Sequence, residues 1–114
     1  MGKHTDLLLD GWRKGDAEMI LSAVTDDFVY DDPVDGRFSR AEFEAYLADL
    51  LETADSSSGF ESITDVVTVE KDGEEVTYGW WKTLTEPVME GAGLVRARPD
   101  GVYLERVTYY TPAP

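Results

Sequence analysis

The second half of the chain, from Phe60 to Thr111, reads as four strands in succession, and this limits the fold more than any other feature. Val, Ile, Thr, Tyr and Trp crowd the stretches 60–70, 75–85 and 102–111, residue types that suit a pleated, half-buried surface, and 89–98 continues the series around Leu94 and Val95. The breaks between them are Lys71-Asp72-Gly73, Glu86-Pro87 and Pro99-Asp100-Gly101. Each is too short for a crossover, so consecutive strands must return antiparallel, the first through an Asp-Gly hairpin turn. Gly91 and Gly93 near the start of the third strand predict a bulge or bend there. Such a meander needs a second layer to bury one of its faces.

The first half supplies that layer. Asp6 or Thr5 is expected to cap a helix carrying Leu8, Leu9 and Trp12 on one face, with Trp12 in the core. Gly15 closes it, and Asp16 caps a second helix with Met19, Ile20, Ala23 and Val24 as its apolar side. Ser39 and Glu42 have the spacing of a capping box for a third, whose stripe is Phe43, Tyr46, Leu47, Leu50 and Leu51. The run from Ala54 to Gly59 is a loop by composition. Three helices with one strand among them, then four strands, predict a single α+β domain over residues 1–114. A strongly bent, mostly antiparallel sheet wrapping the helices would leave an apolar pocket between the layers, a natural ligand site.

The one strand among the helices, within Asp26–Gly36, carries the chemistry. Alternation places Phe28, Tyr30 and Asp32 on one face and Val29 and Asp31 on the other. Pro33 holds Asp32 extended and lacks an N–H, so the strand ends at that carboxylate, and Gly36 permits the turn away through Asp35. An acid fixed beside aromatic rings is a proton acceptor in waiting.

Charge and composition exclude several roles. Twenty-four acids against ten bases give a formal charge of −14, which repels nucleic acid and acidic membrane surfaces. With no cysteine and a single histidine, His4, placed in a frayed end, neither a disulfide framework nor a zinc site is expected. The N-terminus has three consecutive leucines and no cleavage pattern, and nothing approaches membrane-spanning length, so a cytoplasmic protein is expected.

The run Gly15-Asp16, Thr25-Asp26-Asp27-Phe28, Tyr30-Asp31-Asp32-Pro33, Gly36 and the Phe43/Tyr46 helix resembles the nuclear-transport-factor-2-like superfamily, in its SnoaL-like and ketosteroid-isomerase-like branch. The resemblance implies a cone-shaped, cystatin-like fold with three N-terminal helices on a strongly curved sheet. It also implies that Asp32, the acid before the proline, is the general base of a cofactor-free isomerase, cyclase or dehydratase. The chain departs from that pattern elsewhere. The oxyanion-donating tyrosine of the steroid isomerases falls on Leu8, and their late protonated aspartate falls near Leu94 or Val95, none of which can donate. The pocket histidines of scytalone-dehydratase-like enzymes have no counterpart, since His4 cannot serve. Arg98-Pro99-Asp100 is a faint echo of the limonene-epoxide-hydrolase arrangement.

On the last strand, Tyr103, Glu105, Val107 and Tyr109 share one face, and matching the strand to the isomerase pattern turns it to the pocket, with Glu105 a second interior acid. Tyr78 and Trp80 share a face of the middle strand and are expected at the pocket wall, with Trp81 opposite. The resulting expectation assigns Asp32, Tyr30 and Glu105 to catalysis, and Phe28, Tyr46, Tyr78, Trp80, Tyr103 and Tyr109 to a small hydrophobic ligand. A tyrosine, Tyr30 or Tyr46, would polarise the ligand's carbonyl. The rival is a non-catalytic ligand-binding or association module of the same fold. In either case Leu104, Thr108 and Tyr110 on the opposite face suit a homodimer contact.

Overall fold

A computed structural model describes residues 2–52 and 59–113 of the chain, so the predicted loop at 54–59 lies outside the described residues except for Gly59. The elements run α1 (Lys3–Lys14), α2 (Ala17–Ser22), β1 (Val24–Asp32), β2 (Gly36–Ser39), α3 (Arg40–Glu52), β3 (Glu61–Lys71), β4 (Glu74–Thr83), β5 (Glu90–Arg98) and β6 (Gly101–Tyr110). All strands join one mixed sheet in the order β2-β1-β6-β5-β4-β3. Only β1 with β6 is a parallel pair, so the sheet is mostly antiparallel with the three helices packed on it.

Local chemistry explains most of the boundaries. Asp16 accepts from the Met19 N–H at 3.1 Å and starts α2, and Gly15 ends α1 in a left-handed conformation. The Ser39–Glu42 box closes reciprocally at 2.9 and 3.3 Å to start α3. Two expectations are corrected at the N-terminus. Helix α1 starts at Lys3 behind Gly2 with no side-chain cap, so neither Asp6 nor Thr5 caps it. Thr5 is instead buried at 3 % exposure, on the helix face that packs inward, and His4 lies within the first turn of α1. Val24 opens β1 and takes no part in α2. The stretch after Pro33 is also more than a turn: Gly36 at φ +92 lets residues 36–39 double back on β1 as a short edge strand.

The core is one cluster in which Leu8, Ile20, Phe43, Leu47 and Val102 are fully buried, joined by Trp12, Phe28, Tyr30 and Phe60. Bulges set which way each strand faces. Opposite Arg96 and Ala97, strand β6 carries an extra residue between Val102 and Leu104, and that residue is Tyr103. A second irregularity at 64–67 on β3 uses Asp65 at φ 56. The β4–β6 surface away from the helices leaves Trp80 and Tyr110 39 % and 48 % exposed, their rings 6.3 Å apart. No helix among the described residues is long and apolar enough to cross a membrane.

Gly91 shows how tightly β5 and β6 approach. A Cβ there would lie 1.8 Å from the Thr108 carbonyl oxygen, a backbone atom that cannot swing aside. Gly91→Ala should therefore force the two strands apart and cost about 1–3 kcal/mol, the range for overpacking a well-fitted site. Urea denaturation checks this; an unchanged midpoint would mean that the strands tolerate separation.

Candidate functional site

Strand register brings the polar residues together. Tyr30 pairs across β1/β6 with Glu105, Glu105 with Val95 on β5, and Val95 with Thr77 on β4. The next inward row is Val107–Gly93–Gly79, and the one after it Tyr109–Gly91–Trp81. Two glycines in the middle row contribute no side chain, and here the sheet and helices enclose a cavity of about 270 Å³. Its walls include Leu9 and Trp12 from α1, Tyr46 and Leu50 from α3, Ile63 and Trp81 from the sheet, and the loop residues Phe60, Pro87 and Met89.

Asp32 lines this cavity at the end of β1 and is itself 3 % exposed. Its Oδ1 accepts three hydrogen bonds: from the Val34 N–H at 2.8 Å, the Asp35 N–H at 2.9 Å and the Tyr109 hydroxyl at 2.9 Å. The Asp-Pro sequence builds the first two by bending the chain over its own carboxylate. Oδ2 is buried and has no hydrogen-bond partner among the described residues. One oxygen thus fixes the carboxylate while the other keeps its lone pairs unused.

Glu105 is the second acid, 5 % exposed, with the Trp12 indole N–H donating to its Oε1 at 3.1 Å. Burial pushes its carboxyl up to about 7, and the indole hydrogen bond only partly opposes this. Glu61 is the third. It stands at the start of β3, and burial followed by the nearby Glu105 charge drives its carboxyl well above the usual range. Tyr30 is raised by burial, then by Glu105, Tyr46, Asp32 and Glu61, and Tyr46 is pushed up to about 12 by burial and then by Asp32. Both phenols therefore keep their protons and can donate.

The Glu105 shift has a consequence for stability. A carboxyl held at about 7 in the folded chain, against an ordinary 4.5, leaves stability intact below pH 4.5. Stability falls as pH rises from there through the folded value, because only the unfolded chain has yet lost the proton, and then levels off. Glu105→Gln keeps an oxygen for the Trp12 indole and removes the ionisation. It should stabilise the protein above pH 7 by up to about 3 kcal/mol, at 1.36 kcal/mol per pKa unit. Thermal melts at pH 5 and pH 8 read this directly; equal pH responses of the two proteins would refute it.

Of the residues expected at a ligand, the structure gathers Asp32, Tyr30, Glu105, Tyr46 and Tyr109 on one cavity. Tyr78 contributes to the lining, yet it is 47 % exposed. Three others lie elsewhere. Phe28 sits one step deeper along β1, fully buried with its ring 5.0 Å from Phe43. Trp80 is on the outer face with Tyr110, and its neighbour Trp81 takes the inward position, edge-on to Tyr109 at 5.8 Å. Tyr103, displaced by the bulge, donates to Glu74 and carries the Arg98 guanidinium 4.5 Å above its ring. Sequence reasoning missed Glu61 and the double role of Trp12. The signal for Glu61 was its place between Phe60 and Ile63, at the mouth of an inward-facing alternation. No group of three His, Cys, Asp or Glu side chains with metal-site spacing occurs among the described residues.

Comparison with known proteins agrees with this architecture. Compared by sequence with curated proteins, the chain matches none. Solved structures share the fold at low identity. One is a ketosteroid-isomerase-like protein from Catenulispora acidiphila in complex with trimethylamine, with a TM-score of 0.70, 11% identity, and 94% of this chain and 85% of that one covered. Another is a nuclear-transport-factor-2-like protein from Anabaena variabilis, with a TM-score of 0.71, 14% identity, and 96% and 86% covered. A third is an LEH-like epoxide hydrolase from M. tuberculosis, with a TM-score of 0.70, 12% identity, and 95% and 80% covered. The fold is therefore the nuclear-transport-factor-2-like, cystatin-like α+β cone. The family model of the SnoaL-like domain matches residues 6–110, nearly the whole described chain, and the protein belongs to that family.

Proposed function

We propose that the cavity is the active site of a cofactor-free enzyme of isomerase, cyclase or dehydratase type, in which Asp32 removes a proton next to the carbonyl of a small, largely apolar substrate. The observation that carries this reading is the division of labour within one carboxylate. Oδ1 is anchored by three donors, and Oδ2 is buried and unpartnered. A base held in this way loses little entropy in reaching its proton, and positioned bases of this kind contribute about 10²–10⁴ in rate.

The developing oxyanion needs donors, and the two family positions for them are closed. Leu8 is core, and neither Leu94 nor Val95, the residues near the second position, carries a side-chain donor. The pairing of Val95 with Glu105 nevertheless puts a carboxyl one strand over. With its proton held up to about 7, Glu105 can donate to an enolate oxygen as a neutral acid, and Tyr30 stands beside it on β1. Above that pH the donor ionises and the rate should fall. A protein of similar fold from Catenulispora acidiphila is in complex with a small molecule, trimethylamine, which is consistent with a small ligand for this chain. The test is solvent deuterium exchange at the α-carbon of a panel of small ketones and enones, followed by NMR. Exchange accelerated by the wild-type protein and lost in Asp32→Asn supports the reading. No acceleration for any member, with binding of those members demonstrated, favours the non-catalytic binding module.

A further inference from the structure

The cavity has an uneven chemical inventory. Among the described residues it is lined by three carboxyl groups, Asp32, Glu61 and Glu105, and by no Lys, Arg or His. Seven of the described lining residues are aromatic: Trp12, Tyr30, Tyr46, Phe60, Tyr78, Trp81 and Tyr109. Arg13, next in sequence to the lining residue Trp12, is engaged by other groups. It pairs with Asp10 at 3.1 Å and donates to the Ile63 carbonyl at 3.5 Å. Trp12 and Phe60 stack at 6.2 Å beside the Glu61–Glu105 end. The buried Asp32 Oδ2 shows that the protein leaves polar capacity in this wall unsatisfied.

An anionic ligand such as a carboxylate, phosphate or acyl-coenzyme thioester would meet only negative or neutral groups here, inside a chain of formal charge −14. Aromatic faces and carboxylates together are the chemistry that recognises alkylammonium ions, through ring quadrupoles and Coulomb attraction. We propose that the ligand this cavity selects is a small organic cation, an alkylammonium group whose charge lies against Glu61 and Glu105 and whose carbon groups pack on the surrounding rings. The inference rests on the reading of this cavity as a ligand site; a cation that ionises Glu105 takes that carboxyl out of the donor role, so with such a ligand Tyr30 is the donor to an enolate and Asp32 still faces the reacting carbon.

Proton linkage gives the inference a signature of its own. Burial holds protons on Glu61 and Glu105, and an incoming cation favours their ionised forms, so binding should release a proton. The other titratable groups among the described lining residues are Tyr30 and Asp32 from β1, Tyr46 from α3, the half-exposed Tyr78 from β4 and Tyr109 from β6. Tyr30, Tyr46 and Tyr109 are shifted upward and stay protonated through this range.

The test compares choline with its neutral carbon isostere 3,3-dimethylbutan-1-ol by calorimetry on the whole protein, at pH 5 and pH 8 in two buffers of different ionisation heat. Choline should bind about tenfold or more tightly than the isostere at pH 8. Its affinity should rise by up to about tenfold per pH unit below the carboxyl values while that of the isostere stays flat. Buffer-dependent heats should show proton release. In the double variant Glu61→Gln/Glu105→Gln, with its fold checked by circular dichroism, the choline preference should fall to near one. Equal binding of both probes, absence of proton release, or a preference that survives in the double variant would overturn the proposal, the last by assigning it to bulk charge. The wild-type measurements decide the matter even if the double variant does not fold. Ketone deuterium exchange does not involve a cation, so its failure beside an intact choline preference sinks only the catalytic reading.

Discussion

Trp12→Ala should lower the unfolding free energy by about 3–5 kcal/mol, the range for truncating a buried tryptophan. The side chain is 4 % exposed and lies 6.2–6.3 Å, centroid to centroid, from the rings of Phe43, Phe60 and Tyr30. It ties α1 to β1 through Tyr30, to α3 through Phe43 and to Phe60, and the Tyr30 and Phe43 rings are held by partners of their own, Phe28, Phe38 and Tyr46. A second loss comes with the indole N–H, the one side-chain hydrogen-bond donor to Glu105 among the described residues. Without it that carboxyl is held protonated still more strongly, and part of the cost becomes pH-dependent. Trp12→Phe separates the two: it keeps most of the packing and removes only the donor. Guanidinium denaturation at pH 5 and pH 8 should show Trp12→Ala strongly destabilised at both, against a total stability of about 5–15 kcal/mol for such a domain. A midpoint within error of wild type would show that the α1 face is assigned to the wrong side.

The sequence carried the element order and the position of Asp32 because both rest on strong local chemistry: the capping box at Ser39, the Asp-Gly hairpin, the Asp32-Pro33 stop. It misassigned faces where the physics was not local. In β4 the buried or half-buried set is Thr77, Gly79 and Trp81, less apolar than the exposed Tyr78 and Trp80, of which Tyr78 also reaches the cavity lining. A face that lines a cavity needs small residues to make room, so hydrophobicity alone points to the wrong side. In β6 the bulge at Tyr103 reverses the alternation for its N-terminal end, and Val102 becomes core where strict period two would expose it. Nothing in Val102-Tyr103-Leu104 announces that extra residue. The short strand β2 escaped notice because Gly36 reads equally well as the end of a turn or the start of a return.

The two readings of Asp32 that the sequence leaves open, turn-stabilising acid and pocket base, are not exclusive in the structure, since each oxygen meets a different set of groups. That separation gives the largest effect expected for this protein. Asp32→Asn keeps an oxygen for the Val34 and Asp35 amides and the Tyr109 hydroxyl, and replaces the unpartnered Oδ2 with a neutral amide nitrogen. Stability should move by no more than about 1 kcal/mol, the cost of burying one unmet donor being offset by the charge that no longer has to be buried. Proton abstraction should drop by about 10²–10⁴, because an amide cannot act as a base. Asp32→Ala removes the acceptor as well. It leaves three donors without their partner and should cost about 2–4 kcal/mol, at roughly 1 kcal/mol or more per orphaned group. The pair of variants therefore resolves anchor from base: both lose exchange activity, and only alanine loses stability. Comparable melting temperatures for the two would show that Oδ1 anchors nothing, and full exchange activity in Asp32→Asn would move the base to Glu61 or Glu105.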